Sequence, residues 1–321
     1  MLKQLTKKTF INTIAAFSLV LYSSIASASL FELGDVFAST SDGKVHVYSQ
    51  FGTLKQVLDT GLGGFTTGST FDSNGNFYVT AFSSNVVSQF DMNGNLIDAT
   101  WATGISANES IVFNATGDAY IGNAQAAVIQ KVDQNGNPLV NYVALQNTDW
   151  IDLAADQETI LYSNEGSTIR ELNTSTLVDT VFTTGSYAQL FAKRYLSDNG
   201  VIAASSDGNA YRWDEFGVLQ QTYNVGIGGI FALNLDPDGT SFWTGALGGQ
   251  EIRKVNISTG AIEQSWSTGI GALYGLSVFG EIQAGGGGVD PNPTPSVPEP
   301  MPLTLVLLGM SCLILTRYKK S

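Results

Sequence analysis

An all-β fold, a six-bladed β-propeller of four-stranded antiparallel blades, is what this 321-residue sequence predicts. Three observations predict it. The polar residue that follows each Val/Phe-rich run recurs at Ser49, Asp91, Asp133, Asn173, Asp214 and Asn256, at gaps of 42, 42, 40, 41 and 42 residues. The apolar runs within each gap are short, rich in β-branched and aromatic residues, and broken by Asn-Gly or Asp-Gly turns. The two ends of the repeating region are complementary half-repeats. Four short strands per period, six times over, describe radial sheets that bury both faces on their neighbours and leave only short edges.

The chain enters this body in mid-blade, at Asp35-Val36-Phe37-Ala38-Ser39, with no inner strand before it. A full repeat then reads Asn76-Phe77-Tyr78-Val79-Thr80, Val86-Val87-Ser88-Gln89-Phe90, the turn Asp91-Met92-Asn93-Gly94, and Asn95-Leu96-Ile97-Asp98-Ala99-Thr100-Trp101. A second register runs through Leu58-Asp59-Thr60-Gly61, Trp101-Ala102-Thr103-Gly104, Phe182-Thr183-Thr184-Gly185, Tyr223-Asn224-Val225-Gly226 and Trp266-Ser267-Thr268-Gly269. A third runs through Gly34, Gly75, Gly117, Gly200 and Gly239, with Glu158 in the place of the missing glycine. The body ends on Ala272-Leu273-Tyr274-Gly275-Leu276-Ser277-Val278-Phe279-Gly280, an inner strand with no hairpin after it. Pairing that strand with the N-terminal ones completes the sixth blade and closes the ring.

The ends lie outside the repeats. Residues 1–28 read as a secretory signal, with Lys3, Lys7 and Lys8, an apolar stretch over 10–22, and a small-residue cleavage box in which Ala26 and Ala28 precede Ser29. The propeller is expected over 29–282 and a Gly/Pro-rich spacer over 283–296, where four glycines give flexibility and alternating prolines stiffness. Residues 302–315 form a second apolar stretch, followed by Arg317, Lys319 and Lys320, which would hold that end on the cytoplasmic side. About fifteen residues at ~1.5 Å each fall short of the ~30 Å hydrocarbon layer, so the expected inner-membrane contact of this short helix is transient.

Val297-Pro298-Glu299-Pro300, the apolar stretch and the basic cluster from Arg317, taken together over residues 297–321, resemble the PEP-CTERM sorting signal of bacterial exported proteins. The resemblance implies an exosortase-type sorting enzyme that cleaves near Pro298, Glu299 and Pro300. It also implies delivery to the cell surface, outer envelope or exopolysaccharide matrix of a Gram-negative or cyanobacterial cell. Cys312 lies inside the apolar stretch rather than after the signal peptide, so nothing points to N-terminal lipidation.

Composition narrows the function. Residues 29–300 carry 9 basic against 28 acidic side chains, a net charge of −19, which leaves no basic patch for a nucleic acid. One cysteine excludes a disulfide scaffold, and one histidine, His46 in Lys44-Val45-His46-Val47-Tyr48, leaves little room for a histidine-based metal site or triad. Asp72-Ser73-Asn74-Gly75-Asn76, Asp91-Met92-Asn93-Gly94-Asn95, Asp133-Gln134-Asn135-Gly136-Asn137 and Asp236-Pro237-Asp238-Gly239 are read as tight turns. They lack the late glutamate and flanking helices of a calcium loop, with calcium binding as the alternative, and calcium also stays open at axial carboxylates. Trp101, Trp213 and Trp266 recur at strand ends and are expected between blades. Trp150 and Trp243 depart from that pattern and are read as core, with stacking on a sugar as the alternative.

The repeat pattern resembles six-bladed propellers of the NHL and gluconolactonase-like superfamily over nearly the whole body. In enzymatic members the resemblance implies metal-ligating carboxylates, or a histidine with acidic partners, around the axis. The expected function is a binding or structural module for an envelope or exopolysaccharide component, with no catalytic residue, cofactor or metal ligand assigned. The alternative is an extracellular propeller hydrolase or oxidoreductase using axial carboxylates with calcium. Asp207, Asp214 and Glu215 are acidic residues near expected loops, and the sequence does not bring them together.

Overall fold

The computed structural model describes residues 31–290. The cleavage box at Ala26, Ala28 and Ser29 and the sorting residues Pro298, Glu299, Pro300 and Arg317 lie outside the described residues.

Six four-stranded antiparallel sheets stand around one axis. Blade I joins both ends of the body: β24 (Gly275–Val278) is innermost, followed outwards by β1 (Val36–Ser39), β2 (Lys44–Tyr48) and β3 (Leu54–Asp59). Blade II is β4 (Thr66–Phe71), β5 (Phe77–Ala81), β6 (Val86–Phe90) and β7 (Leu96–Ala102). Blade III is β8 (Asn108–Phe113), β9 (Ala119–Asn123), β10 (Val128–Val132) and β11 (Pro138–Val143). Blade IV is β12 (Trp150–Leu153), β13 (Thr159–Ser163), β14 (Thr168–Asn173) and β15 (Asp179–Thr184). Blade V is β16 (Leu190–Tyr195), β17 (Val201–Ser205), β18 (Asn209–Trp213) and β19 (Leu219–Asn224). Blade VI is β20 (Ile230–Leu235), β21 (Ser241–Ala246), β22 (Glu251–Asn256) and β23 (Ile262–Ser267).

Strand alternation puts apolar side chains on both faces of each blade, so the core is divided between neighbouring blades. Phe37, Phe71, Phe77 and Phe90 fill the seam between blades I and II, and Tyr78, Trp101, Phe113 and Ile121 the next. Trp243, Leu276 and Val278 fill the seam between VI and I, where the ring closes.

The predicted registers become turns. The six polar positions from Ser49 to Asn256 each open the hairpin between the third and fourth strands of a blade. At Asp91, Asp133 and Asp214 the carboxylate accepts backbone N–H bonds from two and four residues on. Asp72 does the same in the turn between β4 and β5. These are Asx turns followed by a left-handed glycine, such as Gly136 with φ 79°. The third register needs two corrections: the left-handed residue of the fourth blade is Gln157 (φ 66°), one place before Glu158, and in the fifth it is Asn199 (φ 61°) rather than Gly200.

Ring closure is as predicted. Strand β24 pairs antiparallel with β1, Val36 opposite Val278 and Ser39 opposite Gly275. The split ends also rebuild the missing turn: Gly34 N–H donates to Phe279 O at 3.0 Å and Phe279 N–H to Asp35 O at 2.9 Å. Gly75, Asp72 and Asn76 exchange the same pair of bonds within the continuous chain of blade II.

The body extends beyond the expected boundary at 282. Gly286 bridges to Asn114, Gln157 donates to Gly285 O at 2.7 Å, and a Cβ on Gly287 would meet Phe113 O at 2.3 Å. Val289 packs on the phenylalanine cluster of blades I and II. Gly285 and Gly287, predicted as flexible spacer, are therefore docked backbone, small because blades IV and III approach them closely. Among the described residues no helix is long and apolar enough to cross a membrane.

Candidate functional site

The turn between first and second strands and that between third and fourth lie on one face of the ring, here the lower. The blade-to-blade loops and the second-to-third loops form the upper face. The axis is finished differently at each end.

At the lower end the chain stoppers its own channel. Glu281, 2% exposed, accepts from Asn234 Nδ2 at 2.5 Å, Val278 N at 3.0 Å, Gln283 Nε2 at 2.9 Å and Thr70 Oγ1 at 3.2 Å. Arg194 continues the network by donating from Nε to Asn234 Oδ1 at 3.0 Å, and Asp152 accepts the Tyr195 N–H at 2.7 Å. Burial pushes Glu281 up to about 7 against the pull of Arg194 and these donors.

The upper end is built by irregularity in the inner strands. In β8 Asn108 pairs with Asn123 and Ser110 with Gly122, which leaves Glu109 off the ladder. In β20 Ile230 and Ala232 pair with consecutive residues and leave out Phe231. Strand β16 skips from Leu190 to Lys193 across Phe191 and Ala192. Such bulges re-aim side chains, and here they meet over the axis. The Phe191 and Phe231 rings lie 4.6 Å apart, and Trp150 of blade IV stands edge-on to Phe231 of blade VI at 5.0 Å, two blades away.

Beside these rings is a charged cluster of Glu109, Asp149, Glu165 and Lys193. Lys193 has no exposed surface, and its ammonium donates to Trp150 O at 2.9 Å. Burial draws its amine down to about 7, against Asp149 and other carboxylates that favour the charge. Burial pushes Asp149 up to about 7, with Glu165 adding to the rise and Lys193 opposing it. Glu109 is raised well above its ordinary range by burial and by the charges of Glu165 and Asp149. Glu165 is raised by burial, against the Trp150 indole and Lys193. Asp149 Oδ1 is buried without a hydrogen-bond partner among the described residues. Ser110 Oγ holds the segment in place, donating to Asp149 O at 2.7 Å and accepting the Ile151 N–H at 3.1 Å. Among the described residues no three His, Cys, Asp or Glu side chains are placed to share a metal ion.

The residues singled out from sequence fall elsewhere. His46 lies on β2 in blade I, half-buried, with Nδ1 3.5 Å from the Tyr48 hydroxyl. Asp207 is on the upper face, accepting the Tyr211 hydroxyl at 2.5 Å, whereas Asp214 and Glu215 sit in a lower-face turn. Glu215 borders an open lower cleft of about 510 Å³ that Asp156, Glu171 and Tyr195 also line. Trp243 is fully buried and donates to Asp236 Oδ2 at 2.7 Å, so it is core. Sequence reasoning missed Glu109, Asp149, Glu165 and Lys193. The available signal was Lys193-Arg194, two adjacent cations inside the apolar run from Leu190 to Tyr195.

No protein-family model and no curated protein matches this sequence. Solved structures do. The WD40 β-propeller domain of Doa1 superposes with a TM-score of 0.58 at 15% identity, over 77% of this chain and 82% of that one. A chain of the nidogen/laminin complex superposes with a TM-score of 0.62 at 12% identity, over 76% of this chain and 97% of that one. At these identities the likeness is one of architecture: the chain has the β-propeller fold.

Proposed function

We propose that this chain is an exported, surface-directed propeller that works as a binding module, offering its upper face to an envelope or exopolysaccharide component. The observation that carries the reading is the upper axial cluster. Buried polar atoms without partners are costly, of order 1–3 kcal/mol each, and Asp149 Oδ1 is one of them, at the axial end opposite the Glu281 stopper. A calcium-dependent hydrolase needs three or more oxygen donors placed to share one ion, and no such group of carboxylates is found among the described residues. Residues 1–28 are the export signal, and Pro298, Glu299, Pro300 and the basic cluster from Arg317 direct an exosortase-type enzyme to the C-terminal tail.

The test follows the full chain in an exosortase-bearing Gram-negative host, beside a variant carrying Pro298→Ala, Glu299→Ala and Pro300→Ala. The unaltered chain should reach the surface or matrix with a shortened C terminus by mass spectrometry, and the variant should stay with the inner membrane. The purified protein should be retained on matrix polysaccharide. Depolymerisation of that polysaccharide would transfer the assignment to a hydrolase, and no retention would remove the matrix as partner.

A further inference from the structure

We infer that the upper axial cluster is a receptor for a primary ammonium group, held between Glu109, Asp149 and Glu165 beside the Trp150, Phe191 and Phe231 rings. The inference rests on the binding-module reading and names the chemistry that module recognises.

Two features select this ligand. The cluster has three carboxyl groups and one amine, so the fully ionised site carries a net charge of −2, an excess that a cation offsets. A metal ion needs its oxygen ligands within roughly 2.0–2.6 Å of one point, and no group among the described residues meets that need. An ammonium reaches carboxylates at hydrogen-bond distance, about 2.8 Å, and so spans a wider set of acceptors. The second feature is the orphaned acceptor. Asp149 is only 4% exposed and its Oδ1 has no donor, which calls for an N–H that a quaternary or inorganic cation does not offer. A free amine and the amino group of a de-N-acetylated amino-sugar polymer both present an ammonium. Entry is from the upper face, because Glu281, Gln283 and the glycines behind them fill the lower end.

The pH dependence follows from the groups around the site. Glu109 on β8, Asp149 next to β12 and Glu165 in the β13–β14 loop are all raised, whereas Lys193 on β16 is lowered to about 7. Asp152 and Arg194 act on Lys193 from below with opposite signs. As pH rises from 6 to 8 Asp149 ionises and Lys193 loses its charge. Both changes favour an incoming cation, and an alkylammonium stays protonated throughout.

Propylammonium chloride titrated into the full chain, followed by the Trp150 indole N–H resonance, tests this. The expected result is saturable binding about tenfold tighter at pH 8 than at pH 6, no response to tetramethylammonium, and at least about a tenfold loss in Asp149→Asn. If that variant does not fold, Glu165→Gln in the half-buried β13–β14 loop should lower affinity severalfold. Equal responses to the two cations, a flat pH profile, or undiminished affinity in the folded variant would overturn the inference. A glucosamine oligomer that binds, when its N-acetylated counterpart does not, and is displaced by propylammonium assigns a polymer-borne amine; propylammonium binding alone assigns a free one. Matrix retention without any ammonium response overturns the ammonium assignment and leaves the binding module standing, whereas loss of both removes the two together.

Discussion

Lys193 is a charge without water. It lies on the innermost strand of blade V, fully buried, with a backbone carbonyl as its hydrogen-bond acceptor. Its folded amine titrates near 7, whereas the unfolded chain holds that proton to about 10.4. Between those values the unfolded state binds more protons, so folding stability rises with pH through this window. Between pH 8 and 9.5, denaturant midpoints of the unaltered protein should climb with a slope approaching one proton per molecule. In Lys193→Met the climb should flatten. An equal slope in both proteins would assign the proton to another group.

At the scale of elements, ring closure hangs on one small residue. Gly275 in β24 sits so close to β4 that a Cβ would meet Thr67 O at 2.0 Å, and that oxygen belongs to backbone. Gly275→Ala should therefore push blade I off blade II and lower the unfolding free energy by about 2 kcal/mol, measured by urea unfolding. The strands and their turns were legible from sequence because they are local. An Asx residue followed by glycine satisfies its own backbone within five residues, and β-branched runs pair with their nearest neighbours in the chain. The axial cluster was not legible, for a physical reason. Glu109 and Phe231 gain their positions from bulges that a strand pattern does not reveal, and Trp150 meets Phe231 only because the ring brings two non-neighbouring blades together. The docked glycines misled in the opposite direction. Four in a row suggest a linker by composition, yet their lack of side chains is what lets Gly285 and Gly287 lie against Leu153 and Phe113.

On the scale of the whole molecule, blade I is stabilised by both ends of the body, and the lower stopper belongs to the second of them. Truncation before Leu273 would remove β24 and the stopper together, opening the blade I–II and VI–I seams where Phe37, Phe71, Trp243 and Leu276 are buried. Truncation after Asp290 would leave every strand of the ring and the stopper in the chain. Thermal unfolding should separate the two. The shorter chain should lose its cooperative transition, or melt more than 10 °C lower by the scale on which ~1 kcal/mol shifts a domain of this size by about 2–4 °C. The longer chain should melt with the full-length protein. A small effect of the deeper truncation would mean that the ring holds as an open arc of five blades.

The joining of β24 to β1 also sets a clock. A chain made from its N terminus delivers three strands of blade I first and the fourth only after five further blades. At roughly 5–20 residues per second, the apolar surface around Phe37 and Phe71 waits on the order of ten seconds or more for its last partner. Until then the nascent protein is an unfinished arc with a sticky seam at its leading edge, and a neighbouring nascent chain with the same seam is its most dangerous company.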